Sequence, residues 1–164
     1  LLDLYEVSEE ILRARLQDMA RGSSQPNWWA SYGDTIPPAY ADYIDLEQQA
    51  KHVRTFQMGL VPGLLQTADY ARAIMEANPA AAQPEAVETL LKVRMERQQA
   101  FWEAKDPKDV RLSAVLWQPV VLTPIGGRGV MRGQLERLLA MSRLPNISIQ
   151  ILPMAVGAHA GTAG

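Results

Sequence analysis

Glu47, Arg94, Arg97 and Gln98 are the side chains best placed to do chemistry in this chain of 164 residues. Arg94 and Gln98 lie four apart and share one face of a predicted helix with Val87, Leu90, Leu91 and Phe101. A guanidinium on an apolar stripe must be paired or must reach water past its own stem, because an unpaired buried charge is very costly. Glu47 sits beside the Tyr43, Leu46 and Ala50 stripe of an earlier helix and is the best carboxylate for that purpose. The spacing predicts that Glu47 and Arg94, or its neighbour Arg97, clamp two helices together. Such a pair can be an internal contact that fixes packing, or a charged site for an anionic ligand or acidic partner.

The other reactive residue types form no recognised constellation. His52 and His159 lie far apart and lack a metal-ligand spacing such as HExxH. There are no cysteines, which removes disulfides, thiolate zinc sites and a Cys nucleophile. Serines and aspartates are present without a GxSxG elbow. Gly126-Gly127-Arg128-Gly129 precedes a helix and can in principle cradle a phosphate, but it is neither GxGxxG nor a Walker loop and reads as a turn. Trp28 and Trp29, with Tyr32, Tyr40 and Tyr43, form an aromatic cluster; adjacent tryptophans cannot both enter one core from regular structure, so one is expected inside and the other available to a partner. The ligand- or partner-binding candidates are therefore Trp28, Trp29, Glu47, Arg94, Arg97 and Gln98. No catalytic residue, metal ligand or cofactor is expected, and the chain does not read as an enzyme.

Several elements must position these residues. Ser8 opens a helix with Glu9 and Glu10 in its first turn and Ile11, Leu12, Leu16, Met19 and Ala20 on one stripe. Gly22 to Pro26 breaks it. The Pro37-Pro38 step starts a helix over 38–53, with Val53 continuing the Tyr43 stripe, and a short strand follows at 54–58. Pro62-Gly63 is a type II turn signal with Gly63 at positive φ, and Thr67 caps a helix over 67–77 with Asp69 in its first turn. A helix runs from Pro84 to about Ala104, with Ala80 to Ala82 before it read as loop.

Beyond Pro107 the period changes to two. Val110, Leu112, Ala114 and Leu116 alternate as a half-buried strand, and Ile147, Ile149 and Ile151 as another. A loop at Gly126–Gly129 and a helix carrying Val130, Leu135, Leu138 and Leu139 lie between them. Strand, helix and strand with so long a connection imply a right-handed crossover between parallel strands. Trp102 and Trp117 read as core edges. The fold class is α+β, mainly helical, with several helices on a small sheet that includes a βαβ unit at residues 110–152.

Composition agrees with a globular chain: 48% apolar, 21% charged and a net charge of −2. A surface without excess positive charge is a poor match for the phosphate backbone, so this chain is not expected to grip DNA by itself. No apolar run approaches the ~20 residues that cross a membrane, no signal peptide opens the chain, and a cytoplasmic protein is expected. Leu1 at the start and the small residues Gly157 to Gly164 at the end suggest a fragment with a flexible tail.

The motifs together resemble a known family. They are Trp28-Trp29, Leu46-Glu47, Val61-Pro62-Gly63-Leu64-Leu65-Gln66-Thr67, Tyr70-Ala71-Arg72, Arg94/Arg97-Gln98, Met131 with Gln134-Leu135, and Ile149-Gln150-Ile151-Leu152-Pro153. They are similar to the region of unknown function C-terminal to the DNA-binding domain in actinobacterial Cro/C1-type (XRE) helix-turn-helix, antitoxin-like transcriptional regulators. The resemblance implies a tail of the helix-turn-helix domain at residues 1–21 and a truncated regulatory domain at 25–164, since the family continues past Gly164 with a strand pair. It also implies DNA contact through a domain upstream of Leu1, a homodimer on a symmetric operator, and a small partner protein encoded nearby. Gln118 departs from the family, which commonly has an acidic residue there. The expected function is control of DNA binding by partner binding or dimerisation; the alternative is a small-molecule sensor with an internal apolar pocket walled by Trp28, Trp29, Glu47 and Arg94.

Overall fold

The computed structural model describes residues 8–14, 28–78, 84–103, 106 and 108–163. They fall into two compact units, Leu1–Pro37 and Pro38–Gly164. In the first unit, residues 10–14 are helical, with Arg13 N–H donating to the Glu9 carbonyl at 2.9 Å. Ile11 and Leu12 of the expected stripe are exposed, while Leu16, Met19 and Ala20 lie outside the described residues. A 3₁₀ segment, Trp28–Thr35, follows, kinked at Gly33.

The second unit contains α1 (Pro38–Gln49), β1 (His52–Gln57), α2 (Ala68–Glu76), α3 (Pro84–Glu103), β2 (Arg111–Trp117), α4 (Gln118–Leu122), α5 (Gly127–Met141) and β3 (Ile147–Leu152). The three strands form one parallel sheet in the order β1-β2-β3. Parallel neighbours require long crossovers: α2 and α3 lie on the first, α4 and α5 on the second. The fold is thus α+β and mainly helical, with the expected strand–helix–strand unit inside 110–152.

Several boundaries and faces differ from expectation. Helix α1 stops at Gln49, so Val53 belongs to β1 and not to a helical stripe. Its inward residues are Ile44 and Glu47, with Tyr43 and Leu46 exposed. The apolar count favoured the Tyr43 stripe, but the buried Arg97 opposite requires the Glu47 face inward. Gly127 and Gly129 belong to the first turn of α5, with Gly126 and Gly127 at φ of 67° and 85° turning the chain into it. On α5, Leu139 is exposed and Gln134 is fully buried. The five residues directly after β2 form α4, which Pro119 starts. Within it, the Gln118 Oε1 accepts from the Met154 N–H at 2.9 Å, linking the ends of β2 and β3 without a charge.

Near the C-terminus, Gly161 and His159 meet β1. Residues Ala160–Ala163 make a 3₁₀ turn, and a Cβ at Gly161 would stand 2.6 Å from the Phe56 ring on β1. His159 meets the same ring edge-on at 5.6 Å.

The core lies between the sheet and α3–α5 and includes Leu65, Tyr70, Phe101, Leu112, Leu116, Val120 and Leu138. A second cluster, Ala71, Met75, Val87 and Leu91, joins α2 to α3. Trp102 and Trp117 are half-buried at the rim. Across the core runs the irregular segment 61–67, with Val61, Leu64, Leu65 and Gln66 all buried. Buried backbone outside regular structure must find partners elsewhere. The Leu65 carbonyl accepts from Gln134 Nε2 at 2.9 Å, and Gln134 Oε1 accepts the Thr67 N–H at 2.8 Å.

Gln134→Met keeps the side-chain length and removes both contacts. Leaving one carbonyl and one N–H unpaired costs about 2–5 kcal/mol in total. Urea unfolding of the variant should show a clearly lower midpoint with an unchanged slope; an unchanged midpoint would show that the segment is held by other means.

Candidate functional site

The VPGLLQT segment begins with Pro62 at φ −54°, ψ 139° and continues into a 3₁₀ turn, Gly63–Leu65. Gly63 does not take positive φ, so the expected type II turn is not formed. The Leu65 N–H donates to the Pro62 carbonyl at 2.9 Å and continues the chain as a helical turn. The missing side chain at Gly63 serves a close approach: a Cβ there would lie 3.3 Å from an Arg97 Nη. Thr67 caps α2 as expected, its hydroxyl accepting from the Tyr70 N–H at 3.3 Å, with Asp69 in the first turn.

Arg97 is the guanidinium that meets Glu47. Its Nε donates to Oε2 at 2.6 Å and its Nη2 to Oε1 at 2.7 Å, a two-pronged contact joining α1 and α3. Both residues are buried, at 6% and 5% exposure. The remaining Nη1 donates to the Tyr40 hydroxyl at 3.0 Å, and the guanidinium lies 5.0 Å from the Tyr43 ring centroid. Tyr43 in turn donates to Glu47 Oε1 at 3.3 Å. Burial by itself would pull the Arg97 pKa down, but the hydrogen bonds and charge of Glu47, with Tyr40, outweigh it and hold the guanidinium above its ordinary range. Burial, and then the Glu47 charge, push the Tyr43 phenol up.

One turn before Arg97 on the same helix, Arg94 donates through Nη1 to Gln66 Oε1 at 2.6 Å. Gln66 Nε2 donates to the Val61 carbonyl at 2.7 Å, and Gln98 Nε2 donates to the Gly63 and Gln66 carbonyls at 2.6 and 2.9 Å. Tyr70 accepts the Val61 N–H, and Trp102 donates to the Leu64 carbonyl. Of the two arginines offered by the spacing, Arg97 and not Arg94 makes the pair with Glu47 between the helices, and Arg94, Arg97 and Gln98 all meet segment 61–67. Trp28 and Trp29 belong to the first unit, where their rings meet edge-on at 5.5 Å and Trp28 meets Tyr32 edge-on at 6.3 Å. The site roles of Gln66, Gln134 and Tyr40 were not read from the sequence; the signals that would have found the glutamines are that Gln66 follows Leu64-Leu65 and that Gln134 shares a helical stripe with Met131 and Leu138.

One further grouping was not anticipated. His52 Nε2 lies 2.8 Å from Ser113 Oγ across the β1–β2 pair, and Arg54 Nε donates to His52 Nδ1 at 3.2 Å. A serine beside a histidine invites a nucleophile–base reading. Arginine has no acceptor, so Nδ1 must accept and Nε2 must carry the proton. Nε2 then donates to Ser113, the reverse of what activating its hydroxyl requires.

A family model described as a domain of unknown function (DUF5753) matches residues 40–164. The chain belongs to that family. No curated protein and no solved structure matches it significantly. The matched region of the DUF5753 domain starts within α1 and takes in every member of the Glu47–Arg97 network. No group of metal-binding side chains, and no helix long and apolar enough to cross a membrane, occurs among the described residues.

The pairing leads to a double-variant test. Glu47→Met leaves Arg97 buried without its counter-charge and should cost about 3–5 kcal/mol. Arg97→Met should cost a similar amount. The double variant buries no charge and should be more stable than either single one in chemical denaturation. Additive losses would contradict the coupling.

Proposed function

We propose that the DUF5753 domain is the regulatory part of an antitoxin-like, Cro/C1-type helix-turn-helix transcription regulator acting in the cytoplasm. In this reading DNA is contacted through a separate N-terminal domain, and this domain binds a small partner protein encoded nearby or pairs with a second copy. The resemblance of its motifs to that family supports the regulator half of the proposal. A net charge of −2 fits a domain that leaves DNA to another.

The observation that carries the binding half is an apolar groove of about 350 Å³ beside β3. Its walls are Val121, Leu135, Leu138 and Leu139 on the helices and Ile149 and Ile151 on the strand. Along β3 the cover of α5 runs out: Ile147 is buried, Ile149 half-buried and Ile151 43% exposed. Leu139 is 61% exposed on the opposite wall. Among the described residues β3 pairs only with β2, so its outer edge also offers backbone groups. An open strand edge next to an apolar groove suits another polypeptide more than a small molecule. The charged cluster, by contrast, is largely occupied with internal contacts.

Isothermal titration against the partner protein tests this reading, with sedimentation for self-association. Leu139→Asp and Ile151→Lys change exposed positions and should alter the unfolding free energy by no more than about a few tenths of a kcal/mol. Each should weaken partner binding or dimerisation by about 10- to 100-fold. Unchanged affinity in both variants, or neither binding nor self-association by the unaltered chain, would defeat the proposal.

A further inference from the structure

Away from the groove, a cavity of about 180 Å³ opens where α1, α2 and α3 converge. Ile74, Met75 and Leu90 give it apolar walls, and Tyr40, Asn78 and Arg94 give it polar ones. Arg94 differs from Arg97 in one respect that matters here. Its hydrogen-bonding neighbours, Gln66 and Tyr40, are neutral, and its Nε is buried with no acceptor in reach. Among the described residues no carboxylate forms an ion pair with it. Glu47 is committed to both prongs of Arg97 and to Tyr43.

Arg94 is half-buried with its Nε sealed from water, and a cation held so without a counter-charge is disfavoured. Burial pulls the Arg94 pKa below its ordinary range; Tyr40 opposes that shift and the Arg97 charge adds to it. The missing element is a negative charge, and the cavity gives it a place to enter. A bare inorganic anion would leave the three apolar walls unused. A cavity of about 150 Å³ lined by aliphatic side chains holds a benzene ring, so this one has room for a hydrocarbon group of that size.

We propose that this cavity binds a small monocarboxylate, its carboxylate on Arg94 and its hydrocarbon part against Ile74, Met75 and Leu90. The site is separate from the β3 groove and does not depend on the partner reading. Because Arg94 also holds Gln66, an occupant would share the guanidinium that helps fix segment 61–67.

Methyl NMR titration of the 164-residue chain with sodium benzoate, benzamide and sodium phosphate decides the matter without any variant. Benzoate should give saturable shifts of the Ile74, Met75 and Leu90 methyls. Benzamide, which has the same shape without the charge, should bind about 10- to 100-fold more weakly. Phosphate should not compete. Leu90→Trp, which fills the cavity, should abolish the shifts at Ile74 and Met75, and Arg94→Met should erase the preference for benzoate over benzamide. No saturable shift with benzoate would overturn the proposal, as would equal binding of benzamide or a phosphate response that matches benzoate.

Discussion

The need to satisfy buried backbone in segment 61–67 organises this domain. A chain that crosses a core without helix or strand carries N–H and carbonyl groups with no built-in partners. Here they are met by a 3₁₀ turn and by side chains from three directions. Gln66 closes the segment on itself, Gln98 reaches in from α3 and Gln134 from α5. Tyr70 and Trp102 add a hydroxyl and an indole. Each contact also fixes the distance of a helix from the segment, so one set of hydrogen bonds places α2, α3 and α5 around the same point.

The Glu47–Arg97 pair extends that arrangement to α1. In area, α1 offers little apolar cover, with Ile44 its only fully buried large side chain. An ion pair at this depth gains little stability over an apolar pair of the same volume, since desolvation offsets much of the attraction. What it supplies is direction. A two-pronged guanidinium–carboxylate contact has one good geometry, and Gly63 leaves the space in which Arg97 can adopt it. The tyrosines stacked above, Tyr40 and Tyr43, close the remaining side with faces 7° apart.

The sequence made the strands and most helices legible because their signals are local. Period-two alternation marked β2 and β3, prolines marked the starts of α1 and α3, and Thr67 marked the start of α2. The ion pair was legible as a class, since a charge on an apolar stripe demands a partner, yet spacing offered Arg94 first and Arg97 only as its neighbour. Only the position of segment 61–67 separates them. Faces were less legible where polar residues face inward: counting apolar residues placed Tyr43 and Leu46 inside, when Glu47 and Ile44 hold that position. Gly63 shows the same limit, because a turn signal and a close-packing requirement select the same residue. The Ser113–His52 grouping joins residues 61 apart and follows from strand register alone.

Arg94 and Arg97 then separate what holds the fold from what is open to binding. They share a helix, a face and a neighbour in the 61–67 segment, and differ in that Arg97 is fully buried and meets a carboxylate, whereas Arg94 is half-buried and meets none. Arg97 has its counter-charge within the chain, so changing it disturbs packing first, and a loss of function there carries no information about a ligand. Arg94 rests on a neutral amide beside a cavity. A charge left unmatched beside available volume is a feature that packing alone does not require. The segment and the side chains around it therefore hold two kinds of residue: Gly63, Gln66, Arg97, Gln98 and Gln134 are accounted for by the fold, and Arg94 is not fully accounted for by it. A ligand of this domain is therefore to be sought at the position the architecture leaves unsatisfied.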